Sequence, residues 1–340
     1  MIAETLEQLI QGRSLDEQAS EAVINAVMDG EAEPAQIAGL LVALRAKGET
    51  VDELVGAARA MRAHVVRVTP RRQDLVDTAG TGGDGSGTFN ISTTAGLIAA
   101  AAGAAVAKHG NRAASSRSGA ADLLEALGVG IELSPERAAR CIDEIGFGYL
   151  HAPAHHPAMR HAGPVRRSLG VRTIFNLLGP LTNPAGASRQ IVGVADAGSV
   201  DLVAGALARL GTTCALVVSS SDGLDELSTS GTTHIAEVRD GVVTHTTLDP
   251  QDVGIEPATP ESVTGGLPAE NAAITRAILA GEPGPRRDLA LLNAGAAIYA
   301  ADRAGSIADG VGLAAGAVDS GAAARVLEHY VSLSMELTAP

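Results

Sequence analysis

The chain has no tryptophan, and its three tyrosines and three phenylalanines make up only 2% of 340 residues. A core built around large aromatic side chains is therefore excluded. Because 46% of the residues are nevertheless hydrophobic, the core must consist mainly of alanine, valine, leucine and isoleucine, which favour close packing of helices on helices and sheets. The 40 glycines indicate many tight turns.

Cysteine is scarce, and signals for export or membrane insertion are missing. Cys141 and Cys214 are the two cysteines of the sequence, and they are interpreted as reduced structural thiols rather than a disulfide framework. The amino terminus lacks the basic region that opens a secretory signal. The longest apolar stretch, residues 95–107, is too short to span a bilayer. We therefore expect a cytoplasmic protein that makes no membrane contact.

Basic residues are fewer than acidic ones. The chain has 25 lysines and arginines but 39 aspartates and glutamates, which gives a formal net charge of −14. Nucleic acids and anionic membranes attract basic protein surfaces, so an acidic chain is a poor ligand for either. We therefore expect no nucleic-acid partner. This balance still allows a local basic pocket.

The first part of the chain shows only helical spacing of its apolar residues. One capping box, Ser14 with Glu17, predicts a helix start, and Thr50 with Glu53 predicts another. The sequence therefore predicts a small all-helical domain over residues 1–70.

Strand and helix patterns alternate in the remainder, 71–340, which is typical of a mostly parallel central sheet. The predicted class is α/β. A strand is expected at Ala104–Ala107, ending before Lys108. The segment 146–190 is rich in proline, histidine, glycine and arginine and is predicted to be irregular apart from a short helix at Val171–Leu178. A long irregular stretch in a compact domain usually indicates function. Helices are predicted near the carboxyl terminus at 269–280, 286–301 and 320–334.

The most informative feature is the glycine-rich segment Asp77–Gly85, which follows a short apolar strand. Glycines let the backbone approach an anion closely, and the helix start at Asn90–Thr93 offers further N–H groups and hydroxyls, so the segment predicts a phosphate cradle. It lacks the downstream acidic residue of dinucleotide folds and the lysine–serine pair of P-loops. A glycine-rich turn without ligand remains the alternative. Asp84 within the cradle favours a nearby metal or cation.

Two further polar loops follow predicted strands. Lys108–Arg112 and Ser115–Gly119 combine cations, hydroxyls and glycines, which suit a polyanion, although a solvated basic loop is the alternative. Asp222–Glu226 presents neighbouring carboxylates, which suit Mg²⁺ bound to a phosphate compound, although a solvated acidic turn is the alternative. Because the carboxyl ends of parallel strands meet at one edge of a sheet, we expect these loops to lie together.

Histidines and arginines cluster in the segment predicted to be irregular. Zinc is conceivable there, but no acidic or cysteine ligand is near in sequence. The histidines are His151, His155, His156 and His161. Arg166 and Arg167 could bind a carboxylate or form an ordinary ion pair. Together the motifs predict two anionic substrates, a Mg²⁺-bound phosphate compound and a carboxylate, which meet between the helical and α/β domains.

At this point the motifs are specific enough to indicate a family. Over essentially its whole length the chain closely resembles the anthranilate phosphoribosyltransferases. The long match Phe175–Pro184 is the least open to coincidence. The motifs occur in the family's order and are Gly80–Asp84, Asn90–Thr93, Lys108–Arg112, Ser115-Ser116, His156-Pro157, Phe175–Pro184 and Asp225-Glu226.

The resemblance implies a fold like that of nucleoside phosphorylases, with a helical domain completed by a segment near 165–187 and a homodimer joined through the helical domains. It implies transfer of a phosphoribosyl group from 5-phosphoribosyl 1-pyrophosphate to anthranilate in tryptophan biosynthesis, giving N-(5-phosphoribosyl)anthranilate and pyrophosphate. It also implies Mg²⁺ as cofactor, with two ions per monomer, and transient contact with anthranilate synthase subunits.

The family's site residues carry over position by position. The resemblance implies catalytic roles for Lys108, Asp225 and Glu226, and metal binding by Ser92 with the same two carboxylates. Anthranilate contacts are implied for Gly80, Asn111 and Arg166, with His109 nearby. Contacts with phosphoribosyl pyrophosphate are implied for Gly80, Gly83, Asp84, Thr88, Asn90, Ile91, Ser92, Thr93, Lys108, His109, Gly110, Asn111, Arg112, Ala113, Ala114, Ser115, Ser116 and Ala120.

The chain departs from the family pattern at three positions. Ala113 and Ala120 stand where serine is common, and alanine has no side-chain donor for a phosphate. Met159 stands where an aromatic residue is frequent, which affects the expected anthranilate channel.

Three rival functions remain open from the sequence. A pyrimidine nucleoside phosphorylase of related fold is disfavoured by the intact Asp225-Glu226 pair and the absence of a long extra carboxyl-terminal domain. A non-catalytic nucleic-acid-binding relative is disfavoured by the negative charge. A dinucleotide-dependent oxidoreductase is disfavoured by the missing acidic residue after the glycine loop.

Overall fold

The structure, a computed structural model, describes residues 1–113 and 117–338. Four helices come first, and strands then alternate with helices. The strands are β1 (Leu75–Asp77), β2 (Ala105–Gly110), β3 (Phe147–His151), β4 (Arg189–Gly193), β5 (Cys214–Ser220), β6 (Thr233–Arg239) and β7 (Val242–Leu248). The helices are α1 (Ile2–Ile10), α2 (Glu17–Met28), α3 (Pro34–Lys47), α4 (Val51–Ala63), α5 (Ile91–Ala101), α6 (Ala120–Ala126), α7 (Pro135–Ile145), α8 (Ala152–His155), α9 (Met159–Leu169), α10 (Ile174–Leu178), α11 (Val200–Arg209), α12 (Pro268–Leu279), α13 (Pro285–Ala300), α14 (Ile307–Asp319) and α15 (Ala322–Thr338).

Within the described ranges the strands form one sheet in the order β3-β2-β1-β4-β5-β6-β7. The pairs from β3 across to β5 are parallel, and β6 and β7 are added antiparallel. Val76 of β1 lies opposite Val106 of β2 on one side and Arg189 of β4 on the other. The strand order therefore reverses beside β1, and ligands of such sheets bind at that switch point. The predicted mostly parallel sheet is confirmed.

Both faces of the sheet are covered, as parallel sheets require. Along β5, Cys214, Leu216 and Val218 join a core cluster that includes α5, α13 and α15. The alternating residues Ala215 and Val217 join a second cluster with α2, α3, α4 and α11. Both cysteines of the chain are buried and free, in agreement with the sequence analysis.

The amino-terminal helices pack closely because small residues lie at their contacts. A Cβ at Gly56 of α4 would stand 2.8 Å from the backbone nitrogen of Glu21 in α2, so glycine permits the approach. α9 packs against α2 and α3, and α11 packs against α4. The division into residues 1–70, with a segment near 165–187, and residues 71–340 stays a prediction.

The predicted cap of α2 is wrong. The carboxylate of Asp16, not the hydroxyl of Ser14, accepts the backbone N–H of Ala19 at 2.8 Å. Glu17 forms an ion pair with Arg59 instead of closing a capping box. The second predicted box is present, since Thr50 and Glu53 bond to each other's backbone at the start of α4.

The prediction that residues 146–190 are mostly irregular is also wrong, although the short helix predicted at Val171–Leu178 is present as α10. The segment contains β3, α8, α9, α10 and the first residues of β4. Gly148 permits close packing, because a Cβ there would lie 2.5 Å from the Ile142 side chain, and Pro164 lies inside α9 rather than in a loop.

Two other predicted elements change in extent. β2 continues to Gly110, so Lys108 lies within a strand and not in the loop after it. The carboxyl-terminal region contains an unpredicted helix, α14, which includes three glycines, and glycine is a weak helix former. In the part of the chain that the structure describes, every helix lacks the length or the apolar character needed to cross a membrane.

Candidate active site at the carboxyl edge of the sheet

The glycine-rich loop leaves β1 and lies against the end of β4. The Thr81 backbone N–H donates to the Gly193 carbonyl at 2.8 Å. A Cβ at Gly80 would lie 3.0 Å from that same oxygen and 3.3 Å from the Asp225 carboxylate. Gly83 has a φ of +82°, which L side chains rarely adopt, and a Cβ there would also clash with the guanidinium of Arg172. These approaches require glycine, so the loop presents bare backbone to the crevice at the carboxyl ends of the strands, between β1 and β4.

Lys108 places a buried cation beneath this loop. It lies in β2, is 2% exposed, and donates to the Thr78 carbonyl at 3.0 Å and the Ser92 hydroxyl at 3.2 Å. Burial lowers the pKa of Lys108, while the carboxylates of Asp77 and Glu226 act in the opposite direction. The ammonium group thus links the end of β1 to the start of α5.

Three carboxylates crowd together beside Lys108 and the glycine loop. Burial, and next the charge of Asp84, raises the pKa of Asp225. Burial, and next the charge of Asp225, raises the pKa of Glu226, whose carboxylate also accepts a hydrogen bond from Ser92. The structure therefore brings together the three predicted metal ligands and adds Asp84 to them.

This set of donors fits a divalent cation. Mg²⁺ takes oxygen ligands, often one or two carboxylates together with substrate phosphate oxygens. A bound cation would offset the repulsion that raises the carboxyl pKa values at Asp225 and Glu226. The crowding of like charges is the structural reason for assigning a cation here.

A buried network holds the strand ends in place. Asp77, fully buried, accepts the His109 backbone N–H at 3.1 Å and the Asn183 amide at 2.7 Å. The same amide nitrogen lies 2.8 Å from the Ala107 carbonyl. This network ties β1 and β2 to the segment that follows α10.

His109 is a neutral histidine with one nitrogen available. Its Nδ1 lies 3.1 Å from the Gly179 carbonyl, which can only accept, so Nδ1 carries the proton. Burial, reinforced by His156 with its ring 5.0 Å away, lowers the pKa of His109 to about 3. Among the described residues, Nε2 has no hydrogen-bond partner. It is therefore an unprotonated acceptor.

Arg166 supplies a cation at the other end of α10. Its guanidinium lies 5.3 Å from the Phe175 ring centre, in the first turn of that helix. Burial lowers the pKa of Arg166, and within residues 1–113 and 117–338 no carboxylate forms an ion pair with it. His109 is bound at Gly179, just after the same helix. A half-buried arginine without a counterion suits a carboxylate ligand.

Arg112 is less available than the resemblance implied. Its guanidinium pairs with Glu125 at 2.5 Å and with Asp122 at 3.2 Å. Its backbone N–H donates to the side-chain oxygen of Asn111 at 2.8 Å. The ion pairs would have to open before Arg112 could bind a phosphate through its side chain. Ala113 likewise donates its backbone N–H to Asp122.

The other predicted residues surround the start of α5 and α6. Asn90 is the residue before α5, and its side chain makes no capping hydrogen bond but is held by Ser118 and Asn271. Ile91 and Thr93 are buried in the first turn. Thr88 lies in the loop, and Gly110 and Ala120 lie at the end of β2 and the start of α6. Ala114, Ser115 and Ser116 lie outside the described residues.

The four histidines of the segment 146–190 do not form a metal site. His155 Nδ1 contacts the Val66 carbonyl at 3.1 Å, and His151 lies beside Tyr149. In the described part of the chain, no three of these histidines have ligand atoms within reach of one ion.

Sequence reasoning missed Arg172 as a site residue. Its guanidinium donates to the Gly82 carbonyl at 2.6 Å and is among the groups that lower the pKa of Asp225. It therefore stabilises the glycine loop beside the carboxylates. Nothing local indicated this, because Arg172 is 90 positions away from Gly82 in the chain. Asp77 and Asn183 lie within motifs that the sequence singled out, but neither was assigned an individual role.

Known proteins share this architecture. Residues 3–65 match the helical bundle domain of a glycosyl transferase family, and residues 72–324 match its α/β domain. An anthranilate phosphoribosyltransferase of Symbiobacterium thermophilum is 54% identical over 334 residues, which cover 98% of each chain. The chain belongs to the anthranilate phosphoribosyltransferase family. The Rubrobacter xylanophilus anthranilate phosphoribosyltransferase is 52% identical, over 99% of this chain and 98% of its own.

Solved anthranilate phosphoribosyltransferase structures agree. The Thermus thermophilus enzyme superimposes with a TM-score of 0.93 at 49% identity, covering 97% of this chain and 99% of its own. The Saccharomyces cerevisiae enzyme in complex with phosphoribosyl pyrophosphate and Mg superimposes with a TM-score of 0.91 at 26% identity, covering 99% of this chain and 98% of its own. The resemblance found from the motifs is confirmed, and the chain is a transferase of the glycosyltransferase class.

Proposed function

We propose that this protein transfers the phosphoribosyl group of 5-phosphoribosyl 1-pyrophosphate to the amine of anthranilate, within tryptophan biosynthesis. The observation that carries the proposal is that Lys108, the glycine loop and the carboxylates of Asp225 and Glu226 converge at the switch point of the sheet. The yeast relative has been solved with phosphoribosyl pyrophosphate and Mg, and also with 4-fluoroanthranilate.

The phosphoribosyl substrate would lie along the glycine loop and the start of α5. Backbone N–H groups and hydroxyls there suit its phosphates, and Lys108 supplies a fixed positive charge. Ser92, Asp225 and Glu226 would hold Mg²⁺, two ions per protomer, with Asp84 close by. When bound, Mg²⁺ offsets the negative charge of the pyrophosphate.

The chain's own residues meet the demands of the reaction. A C–O bond to pyrophosphate breaks and a C–N bond forms at the same ribose carbon, so charge grows on the leaving pyrophosphate. Lys108 is already oriented by Thr78 and Ser92, and a preoriented cation stabilises such charge without reorganisation. Arg166 would hold the anthranilate carboxylate and thereby align the weakly nucleophilic amine.

A strong base is not required. An aromatic amine loses its proton readily once it has bonded to carbon. The pKa of His109, about 3, makes its Nε2 a hydrogen-bond acceptor rather than an effective base at neutral pH. We therefore assign His109 a positioning role for the acceptor substrate. If kcat of a His109→Gln variant fell a thousandfold with the anthranilate KM unchanged, this assignment would be wrong.

Loss of anthranilate fluorescence tests the reaction directly. Addition of phosphoribosyl pyrophosphate and Mg²⁺ should remove the fluorescence, and EDTA should prevent the loss. If the folded protein binds phosphoribosyl pyrophosphate but leaves anthranilate unchanged, the acceptor is wrong. Other amines, or a nucleoside with phosphate, would then be tested.

Replacement of Arg166 should act on anthranilate alone. In Arg166→Ala we expect the anthranilate KM to rise about 10- to 100-fold, the effect of losing a charge-assisted hydrogen bond of about 1.5–3 kcal/mol. The KM for phosphoribosyl pyrophosphate should change little. Arg167→Ala is the matched control, because Arg167 is the exposed neighbour on α9. An unchanged anthranilate KM would remove Arg166 from the site.

We also propose a homodimer in the cytoplasm, joined through the helical domain of residues 1–70. Two exposed apolar side chains in this domain support it as the interface, since Ile10 of α1 is 71% and Val42 of α3 is 47% exposed. Light scattering should give twice the mass of the chain. The double variant Ile10→Glu/Val42→Glu should lower the measured mass to that of a single chain. An unchanged mass would place the interface on another surface.

A further inference from the structure

A second group of ligand-type side chains lies away from the substrate crevice, on the outer strands of the sheet. His234 is on β6, and His245 is on the neighbouring strand β7. Thr247 is the residue opposite His234, so the two histidines are diagonal neighbours on one face of the hairpin. α11 packs on this hairpin and brings Asp201 of its first turn to the same place.

The three side chains are at ligand distances from one another. His245 Nδ1 lies 3.4 Å from His234 Nε2 and 3.8 Å from a carboxylate oxygen of Asp201. The three ligand atoms lie within 4.8 Å of one another. Two nitrogens each about 2.0–2.1 Å from a tetrahedral ion are about 3.4 Å apart, which matches the observed separation. In the part of the chain that the structure describes, this is the group that meets such a criterion.

We propose that Asp201, His234 and His245 form a binding site for a divalent transition-metal ion, with Zn²⁺ as its best fit. Two imidazoles and one carboxylate are ligands that Zn²⁺ accepts, whereas Mg²⁺ prefers oxygen alone. The site shares no residue with the carboxylates of the crevice. Asp201 and His245 are exposed, so water can complete the coordination.

A simple hydrogen bond accounts for the pair less well. A separation of 3.4 Å between the two ring nitrogens is beyond the usual range of about 2.7–3.2 Å for a hydrogen bond donated by nitrogen. The planes of the His234 and His245 rings make an angle of 15°, and the ring centres are 5.4 Å apart. The carboxylate of Asp201 supplies a third ligand atom, whereas a hydrogen bond between two histidines needs no third group.

The position indicates what a bound ion would do. It would join the first turn of α11 to both strands of the β6–β7 hairpin. α11 also packs on α4, so the ion would fasten the outer edge of the sheet to an element that contacts the amino-terminal helices. Ligands that bind only the folded state raise its stability. We therefore expect a structural site, whose occupancy stabilises the fold.

Calorimetric titration with Zn²⁺, with Mg²⁺ saturating, tests the site. The wild-type protein should bind one Zn²⁺ per chain at this site, and His245→Asn and Asp201→Asn should each bind it at least about tenfold more weakly. His329→Asn, which changes an exposed histidine of α15, should bind as the wild type does. Equal affinity in all four proteins, or no zinc binding by the wild type, would overturn the proposal.

Two further measurements separate this site from the substrate crevice. In an Asp225→Asn/Glu226→Gln background the zinc site should persist, and its loss there would assign the ion to the crevice and overturn the proposal. Zn²⁺ should raise the melting temperature of the wild type by a few degrees and leave that of His245→Asn unchanged. An equal response in both proteins would also overturn it.

Discussion

The double substitution Asp225→Asn/Glu226→Gln should lower kcat by about 10²–10³-fold, the scale of losing one preorganised electrostatic contact to the transition state. Asp225 and Glu226 are crowded by Asp84, and a bound cation would offset that repulsion. Amides keep the shape of the side chains but remove the charge that would hold Mg²⁺. Initial rates from anthranilate fluorescence, measured over a range of Mg²⁺ concentrations, should show that added Mg²⁺ does not restore turnover.

The free energy of unfolding shows whether the loss of turnover in the double variant comes from unfolding. Because burial and like charge raise the pKa values of both carboxyls, the amide variant should keep or increase the free energy of unfolding in urea. Asp240→Asn is the matched control, since Asp240 lies exposed in the β6–β7 turn with a φ of 50°, where asparagine fits well. Normal turnover in the double variant would exclude these carboxylates from the reaction.

Replacement of Lys108 by methionine should lower kcat by about 10²-fold, because the ammonium group that we propose stabilises the leaving pyrophosphate is lost. The side chain is 2% exposed and bonded to the Thr78 carbonyl and the Ser92 hydroxyl. Methionine keeps the volume of the lysine stem, so the packing survives. Lys108→Arg should not restore activity, because the larger planar guanidinium does not fit the place of the ammonium.

Lys47 provides a matched control for the loss of a buried cation. It pairs with the fully buried Glu53 at 3.0 Å. Lys47→Met leaves that carboxylate without its partner, so it should lower the free energy of unfolding and leave kcat of the folded fraction unchanged. Urea denaturation and single-turnover rates of both variants test the contrast. A Lys108→Met enzyme that turns over at the wild-type rate would contradict the proposed role.

The glycine loop was predictable from the sequence because its demands are local. Gly80 and Gly83 stand where a Cβ would collide with β4 or with Arg172, and such glycines appear as a dense motif. The alternation of strands and helices likewise depends on short-range patterns, and it correctly predicted a mostly parallel sheet. The cap at Asp16 was missed because Ser14, two residues earlier, offered an equally plausible pattern.

The segment 146–190 was not predictable by the same means. Its glycines and prolines are typical of loops, but in the structure Pro164 lies inside α9 and Gly148 permits a close contact with Ile142. Arg172 and Asn183 acquire their partners only when this segment folds back on β1 and β2. A local pattern cannot report contacts made across about a hundred residues of chain.

By itself the sequence determined the family, the order of the glycine-rich and polar loops and the class of the fold, because these depend on motifs and on the periodicity of neighbouring residues. The tertiary structure alone decided which charges meet. It paired Arg112 with Glu125, left Arg166 without a carboxylate in the described residues, and brought Asp201 to His234. The physical reason is that electrostatic interactions depend on distance and burial, which exist only after the sheet and its helices have closed around the side chains.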